Sequence, residues 1–247
     1  MEKVYRHMLD LKEARGTGYV VLLDPDKYTP EELALQAEVI SEYADLIFVG
    51  GSLCVRHDFG EAVKSVKAAS RVPVVIFPGD STQVSQHADA LLFLSLVSGR
   101  NADLLIGEHV KAAPRVYRYG LETIPVAYVL VESGETTSVQ FISQSLAIPP
   151  TKPELAVAHA LAGEYLGMKM VFLEAGSGAR RHVPVEMVGA VADYVSVPII
   201  VGGGIRTPDQ ARALADAGAS FIVTGDVIEK EGGIDMLRDF TAAIHSA

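Results

Sequence analysis

One repeated pattern constrains this chain more than any other feature: a short uninterrupted apolar run, then a segment of helical length, from end to end. The runs are residues 19–23, 46–49, 74–77, 90–95, 126–131, 170–174, 198–201 and 221–224. Most are continuously apolar rather than alternating, which suits parallel strands covered on both faces. Between them, segments 30–43, 101–117, 153–167 and 208–218 carry apolar residues at helical spacing. Pro30, Pro153 and Pro208 suit the first helical turn after Thr29, Lys152 and Thr207, and Gly167 and Gly218 suit helix ends. Strict alternation with eight strands predicts an α/β fold closed as a (β/α)8 barrel rather than an open sheet. The 247 residues match one such barrel, and no linker or low-complexity run divides them, so one domain over 1–247 is expected.

Two connections break the rhythm. Only residues 78–89 separate the third and fourth runs, the bare minimum for a parallel crossover including its helix, and they open with Pro78-Gly79-Asp80-Ser81-Thr82, so at most two helical turns fit. The third outer helix is therefore expected to be short or missing. Conversely, residues 132–151 after the fifth run are long for an ordinary loop, and such loops are usually functional.

Composition narrows the classes of partner. A net charge of −10, with no Lys/Arg stripe, argues against nucleic acid. The apolar runs fall short of the ~18–20 residues of a membrane span. The first sixteen residues are charged and amphipathic, so no secretory leader is expected. The single cysteine, Cys54, excludes an internal disulfide framework and fits a reducing cytosol, so a soluble cytoplasmic protein is expected. Anionic ligands would then be held locally, by backbone N–H groups, a metal and a few cations.

In a barrel the chemistry gathers at the C-terminal ends of the strands. After the seventh run stands Gly202-Gly203-Gly204-Ile205-Arg206, and after the eighth Thr224-Gly225-Asp226. Glycines there let backbone amides approach an anion closely, and these two loops hold phosphate in many barrels. Leu173-Glu174-Ala175-Gly176-Ser177-Gly178 follows the sixth run and offers another anion-cradling turn. Glu174 there is either a proton acceptor at the barrel mouth or a structural carboxylate bonded to loop amides. After the first run, Asp24-Pro25-Asp26-Lys27 is good turn chemistry. It also suits Mg2+, which takes one or two carboxylates, waters and substrate phosphate oxygens. Asp26 would then be a supporting or capping residue, and Gly50-Gly51-Ser52 adds a hydroxyl. Arg180-Arg181-His182 is a solvated stretch or a diphosphate contact, and Glu132 a loop entry or a ligand contact. The seven histidines show no paired spacing that would suit zinc, and Cys54 reads as packing.

Five ordered blocks together resemble one family, geranylgeranylglyceryl phosphate synthase with the related bacterial heptaprenylglyceryl phosphate synthases, in its second sequence group. They are Leu22 to Lys27, Val49 to Leu53, Tyr128 to Ser138, Phe172 to Ala179, and Val201 to Pro208. The resemblance implies a Mg2+-dependent barrel prenyltransferase that joins a polyprenyl diphosphate to the primary hydroxyl of sn-glycerol 1-phosphate and releases diphosphate. Carried over position by position, Asp24 and Ser52 would bind the metal. Phe172, Leu173, Glu174, Ala175, Gly176, Ser177 and Gly178, with Gly203, Gly204, Gly225 and Asp226, would hold glycerol phosphate. Glu174 would face the attacking hydroxyl. Two positions depart from the family pattern: Phe172 replaces a tyrosine, and Asp226 replaces an asparagine and brings a carboxylate toward the phosphate. The resemblance also implies a homo-oligomer, for which Phe141 in the long loop is a candidate interface residue. The competing readings are another phosphate-binding barrel isomerase or lyase and a catalytically idle phosphate-binding barrel. The first would need neither Asp24-Pro25-Asp26 nor an apolar groove; Phe172 and Asp226 are the hints for the second, and retention of Asp24, Ser52 and Glu174 speaks against it.

Overall fold

The computed structural model describes residues 2–225 and 233–246. The chain runs α1 (Lys3–Arg15), β1 (Gly18–Leu23), α2 (Pro30–Ile40), β2 (Leu46–Val49), α3 (Phe59–Ala69), β3 (Val74–Ile76) and β4 (Ala90–Leu96). After a π-helical turn (Asp103–Gly107) come α4 (Glu108–Tyr119), β5 (Glu122–Leu130), α5 (Ser138–Ser143), α6 (Pro153–Tyr165) and β6 (Met170–Glu174). The last elements are α7 (Val185–Ala192), β7 (Ile199–Gly202), α8 (Pro208–Asp216), β8 (Phe221–Thr224) and α9 (Gly233–His245). All neighbouring strands pair in parallel in the order β1 to β8, and β8 returns to β1 with Val21 opposite Thr224, so the sheet closes into the expected barrel.

Burial on both strand faces follows from two separate cores. Val20, Phe48, Leu92, Tyr128, Phe172 and Phe221 fill the barrel interior. The alternate residues, such as Val21, Ile47, Leu91, Val129 and Leu173, pack outward against the helices. Local signals set the helix starts. Thr29 and Thr207 each complete a capping box, which satisfies amide groups that a helix start leaves unpaired. Lys152 makes no such side-chain bond, and Pro153 alone marks the start of α6. Helix α3, which the periodicity reading left unassigned, is capped by Asp58 accepting the Glu61 amide at 2.9 Å.

Several boundaries shift from the sequence reading. β3 stops at Ile76 and releases Phe77 to the barrel mouth. β5 begins at Glu122 and ends at Leu130, while Val131 leaves it for a bridge to Ile148. β7 is Ile199–Gly202, one residue later than expected. Among the described residues no helix joins β3 to β4: residues 77–89 form turns, with Gln83, Val84 and Ser85 buried. The ring of outer helices is open there, as the short crossover predicted.

At the opposite end of the barrel the buried Asp45 gathers three elements. Its carboxylate accepts the Tyr19 amide at 2.8 Å, Arg15 at 2.5 Å and the His245 ring at 2.8 Å. Burial would push this carboxyl up, but the bonds from His245 and the Tyr19 amide, with the Arg15 charge, hold it below its ordinary value.

Candidate active site

A cleft of about 510 Å3 opens at the C-terminal ends of the strands. One end is polar, walled by Asp24, Ser52, Glu174, Ser177, Gly178, Gly203, Gly204, Arg206 and Gly225. The other end is apolar and runs out over β4 into the gap left by the missing helix, past Val84, Leu91, Phe93, Leu104, His109 and Ala112.

Glu174 ends β6 with its side chain turned into the barrel mouth, and it is 5% exposed. Its Oε1 accepts the Gly176 amide at 2.5 Å. Burial pushes the carboxyl up to about 7, with the Gly176 bond opposing the rise. The two sequence readings of Glu174 therefore meet in one residue: the carboxylate is bonded to a loop amide and also faces the cleft. A carboxyl that titrates near neutrality is matched to proton transfer. Gly203 makes this arrangement possible. At φ +82° it occupies the left-handed region, and a Cβ there would lie 2.3 Å from Glu174 Oε1, so the loop after β7 can close onto the carboxylate only as glycine.

Beneath Glu174 lies an aromatic floor. Phe77 stacks on Phe172 at 5.1 Å between ring centroids, and Tyr128 meets Phe172 edge-on at 5.4 Å. Burial first, then the Glu174 charge, pushes the Tyr128 phenol well above its ordinary range. Phe172 is fully buried one layer below the mouth, and Leu173 points outward to the helices. Neither side chain reaches the cleft wall, nor do Ala175 and Gly176. Asp226 lies outside the described residues.

Two further loops arrive from β1 and β2. Asp24 Oδ1 accepts the Asp26 amide at 3.0 Å, and a Cβ on Gly51 would sit 3.1 Å from that same oxygen. Asp24 thus lies against the Gly51-Ser52 turn. Asp26 serves as a cap: its carboxylate accepts the Val55 and Arg56 amides at 2.8–3.0 Å and ties the two loops together. The buried Gln83 fastens the same turn from the other side, donating to the Gly51 carbonyl at 2.9 Å and accepting the Gly79 amide at 3.1 Å. Gly50 is required where these loops cross, since a Cβ there would fall 1.8 Å from the Phe77 carbonyl oxygen. Among the described residues no three His, Cys, Asp or Glu side chains converge on a metal-sized point. One carboxylate beside one hydroxyl is nonetheless a donor set that fits Mg2+, which completes its shell with waters and phosphate oxygens.

The other candidates fall elsewhere. Glu132 accepts the Gly134 amide at 2.6 Å and is a loop entry, away from the cleft. Arg180, Arg181 and His182 do not line the cleft either. Lys27 does line it, and a cation at the glycine loops is Arg206, to which the sequence reading gave no role. Its guanidinium donates to the Ala179 and Arg180 carbonyls at 2.8 and 3.0 Å and braces the loop after β6. Its place directly behind the glycine triplet was the available signal. His109 also went unassigned: its Nε2 lies 3.1 Å from Ser95 Oγ in the groove wall, and burial lowers its pKa.

Fold and cleft together define a (β/α)8 barrel whose mouth joins a glycine-lined polar pocket, with one buried carboxylate, to an apolar channel outside the sheet. The chain belongs to the PcrB family, whose model matches residues 9–244. It is 46% identical to geranylgeranylglyceryl phosphate synthase from Chitinophaga pinensis over 246 residues, covering 99% of this chain and 97% of that protein. It is 47% identical to the protein of the same name from Thermococcus kodakarensis over 232 residues, 92% of this chain and 90% of that one. The structure of (S)-3-O-geranylgeranylglyceryl phosphate synthase from Thermoplasma acidophilum, in complex with its substrate sn-glycerol-1-phosphate, superposes with a TM-score of 0.93. It is 36% identical and covers the full length of both chains. The resemblance read from five short blocks thus extends over nearly the whole chain.

Proposed function

We propose that this protein is a prenyltransferase that joins a polyprenyl diphosphate, of which geranylgeranyl diphosphate is the expected one, to the primary hydroxyl of sn-glycerol 1-phosphate for ether-lipid synthesis. The observation that carries the reading is the two-part cleft, which offers one end to a phosphate and the other to a long apolar chain. In this reading backbone amides of Ser177 or Gly178, Gly203 or Gly204, and Gly225 receive the phosphate. Glycerol phosphate so held presents its free hydroxyl to Glu174. The hydroxyl oxygen bonds to the prenyl C1 as the C1–O bond to diphosphate breaks, diphosphate leaves with the bonding pair, and the hydroxyl proton passes to Glu174. Phe77 and Tyr128, packed from beneath by Phe172, keep the reacting carbon in an apolar, water-poor setting. Asp24 and Ser52 would hold Mg2+, which when bound neutralises charge on the diphosphate.

The test is to incubate the purified protein with glycerol 1-phosphate, Mg2+ and prenyl diphosphates of several lengths and to look for the ether product by mass spectrometry. Absence of product at every chain length would reject the reading. Transfer that extends to long tails would separate it from a general phosphate-binding barrel with no use for a groove.

A long tail cannot enter a barrel interior already filled with side chains, so the reading places it in the apolar gap. Burial there is worth about 0.8 kcal/mol per CH2 as an upper scale. Ala112 is a small side chain on the groove wall. Ala112→Phe should shift kcat/KM away from twenty-carbon and toward ten-carbon tails by at least roughly tenfold, about two CH2 groups' worth. Unchanged length selectivity would remove the groove from the proposal.

Cytoplasmic work suits a water-soluble phosphate substrate, and among the described residues no helix is long and apolar enough to cross a membrane. For the homo-oligomer, Phe141 on α5 is 76% exposed and is the anchor we assign. Phe141→Ala is expected to lower the mass measured by light scattering, and an unchanged mass would free Phe141 of that role.

A further inference from the structure

The apolar groove has a bridge across it. Its floor is the outer face of β4, where Leu91 is fully buried and Phe93 half-buried. One wall is α4 and the turn before it, with Leu104, His109 and Ala112; the other is the 77–89 segment, with Val84. A Glu108 carboxylate oxygen on α4 accepts the Ser81 amide of the opposite wall at 2.8 Å. Further along α4, Arg115 donates to the Thr82 carbonyl at 3.4 Å. The Glu108 side chain is 23% exposed and its partner Lys111 58% exposed, so the bond lies toward solvent, whereas Leu91 closes the groove from below.

The bridge is built on both banks. Asp80 Oδ1 accepts the Thr82 amide at 2.7 Å and its hydroxyl at 2.5 Å, which fixes the turn that presents Ser81. Lys111 donates to Glu108 at 2.6 Å. Lys111 and then Ser81 hold the Glu108 carboxyl down to about 2, so it stays charged throughout the physiological range. The π-helical turn before α4 contributes as well, since such turns often mark functional positions, and here Leu104 and Glu108 both face the groove.

We propose that Glu108 is a specificity-determining clasp: its bond to the Ser81 amide closes over the prenyl tail and retains those tails long enough to pass beneath it. This rests on the prenyltransfer reading above. A tail that ends short of the bridge leaves through the mouth unhindered. A longer one leaves only by lengthwise withdrawal or when the bridge opens, which breaks a charge-assisted hydrogen bond.

The experiment measures how fast labelled product leaves the enzyme when chased with unlabelled product, for twenty-carbon and five-carbon tails. In Glu108→Ala the twenty-carbon product should leave roughly tenfold faster, the scale of one lost charge-assisted bond, while the five-carbon product leaves at the wild-type rate. Glu108→Gln keeps an oxygen for the Ser81 amide but not the charge, so its twenty-carbon product should leave at an intermediate rate, roughly threefold faster than from wild type. Equal acceleration for both tails, no acceleration for either, or a glutamine variant as fast as the alanine one would each overturn the clasp. Failure of the prenyltransfer reading is seen separately, since the wild-type protein would then form no product to chase.

Discussion

Glu174→Gln is expected to slow the chemical step by roughly 10²–10⁴-fold, the usual scale for a lost general base, while glycerol phosphate binding changes little. Single-turnover kinetics with pre-bound substrates measure this, and a wild-type rate would remove Glu174 from the proton transfer. The same residue predicts a pH dependence in two directions. As a base it acts only when ionised, so the rate should rise as pH climbs through about 7. Stability should move the other way. The folded carboxyl titrates above the unfolded one, so its stabilising contribution is complete below the ordinary value of 4.5 and is lost as pH rises to about 7. A shift of that size corresponds to about 3 kcal/mol. Urea unfolding of wild type and Glu174→Gln at pH 5 and pH 8 isolates the effect. The wild-type protein should lose stability relative to the variant over that interval, and parallel behaviour would show that burial does not disfavour the charge.

Asp24→Asn is the second large effect. The amide keeps an oxygen of similar shape but removes the negative charge that a hard cation requires. Turnover should fall by roughly 10²-fold or more, given the several kcal/mol that a metal contributes to charge stabilisation, and the Mg2+ concentration for half-maximal rate should rise. Because the contacts shown for Asp24 run to its own loop and the β2 turn, the Kd of glycerol phosphate should hold steady. Calorimetric titration of glycerol phosphate into the variant separates the two roles, and a fall in that affinity equal to the fall in rate would count against a metal role.

The barrel was legible because its evidence is periodic: eight buried parallel strands leave eight apolar runs that side-chain chemistry alone reveals. The missing helix was legible for a similar reason, since the twelve residues between the two runs open with Pro78-Gly79-Asp80-Ser81-Thr82 and leave room for at most two helical turns. What stayed hidden depends on distances across the fold. Phe77 read as the end of a strand, yet its release is what lets it stack on Phe172. Gln83 carries no motif of its own, and Arg206 stood in the glycine block without a role; both matter because they reach backbone groups of other loops. Leu173 and Ala175 stood beside Glu174 in one block, but strand alternation turns Leu173 away from the mouth. A linear motif names a neighbourhood, and the pleat decides which members face the ligand.

Asp45 has a consequence for how the molecule assembles. Its partner His245 is 200 residues away in sequence, and the pairing of β8 with β1 spans a comparable distance. Contacts so remote form slowly, because the chain must give up loop entropy before they reward it. Until α9 returns, the Asp45 carboxylate lacks its His245 partner, and β1 and β8 present open edges to any other strand nearby. Closure of β8 onto β1 and docking of α9 are therefore expected late in assembly, and a lesion in α9 near His245 is expected to show first as misassembly rather than as weakened catalysis.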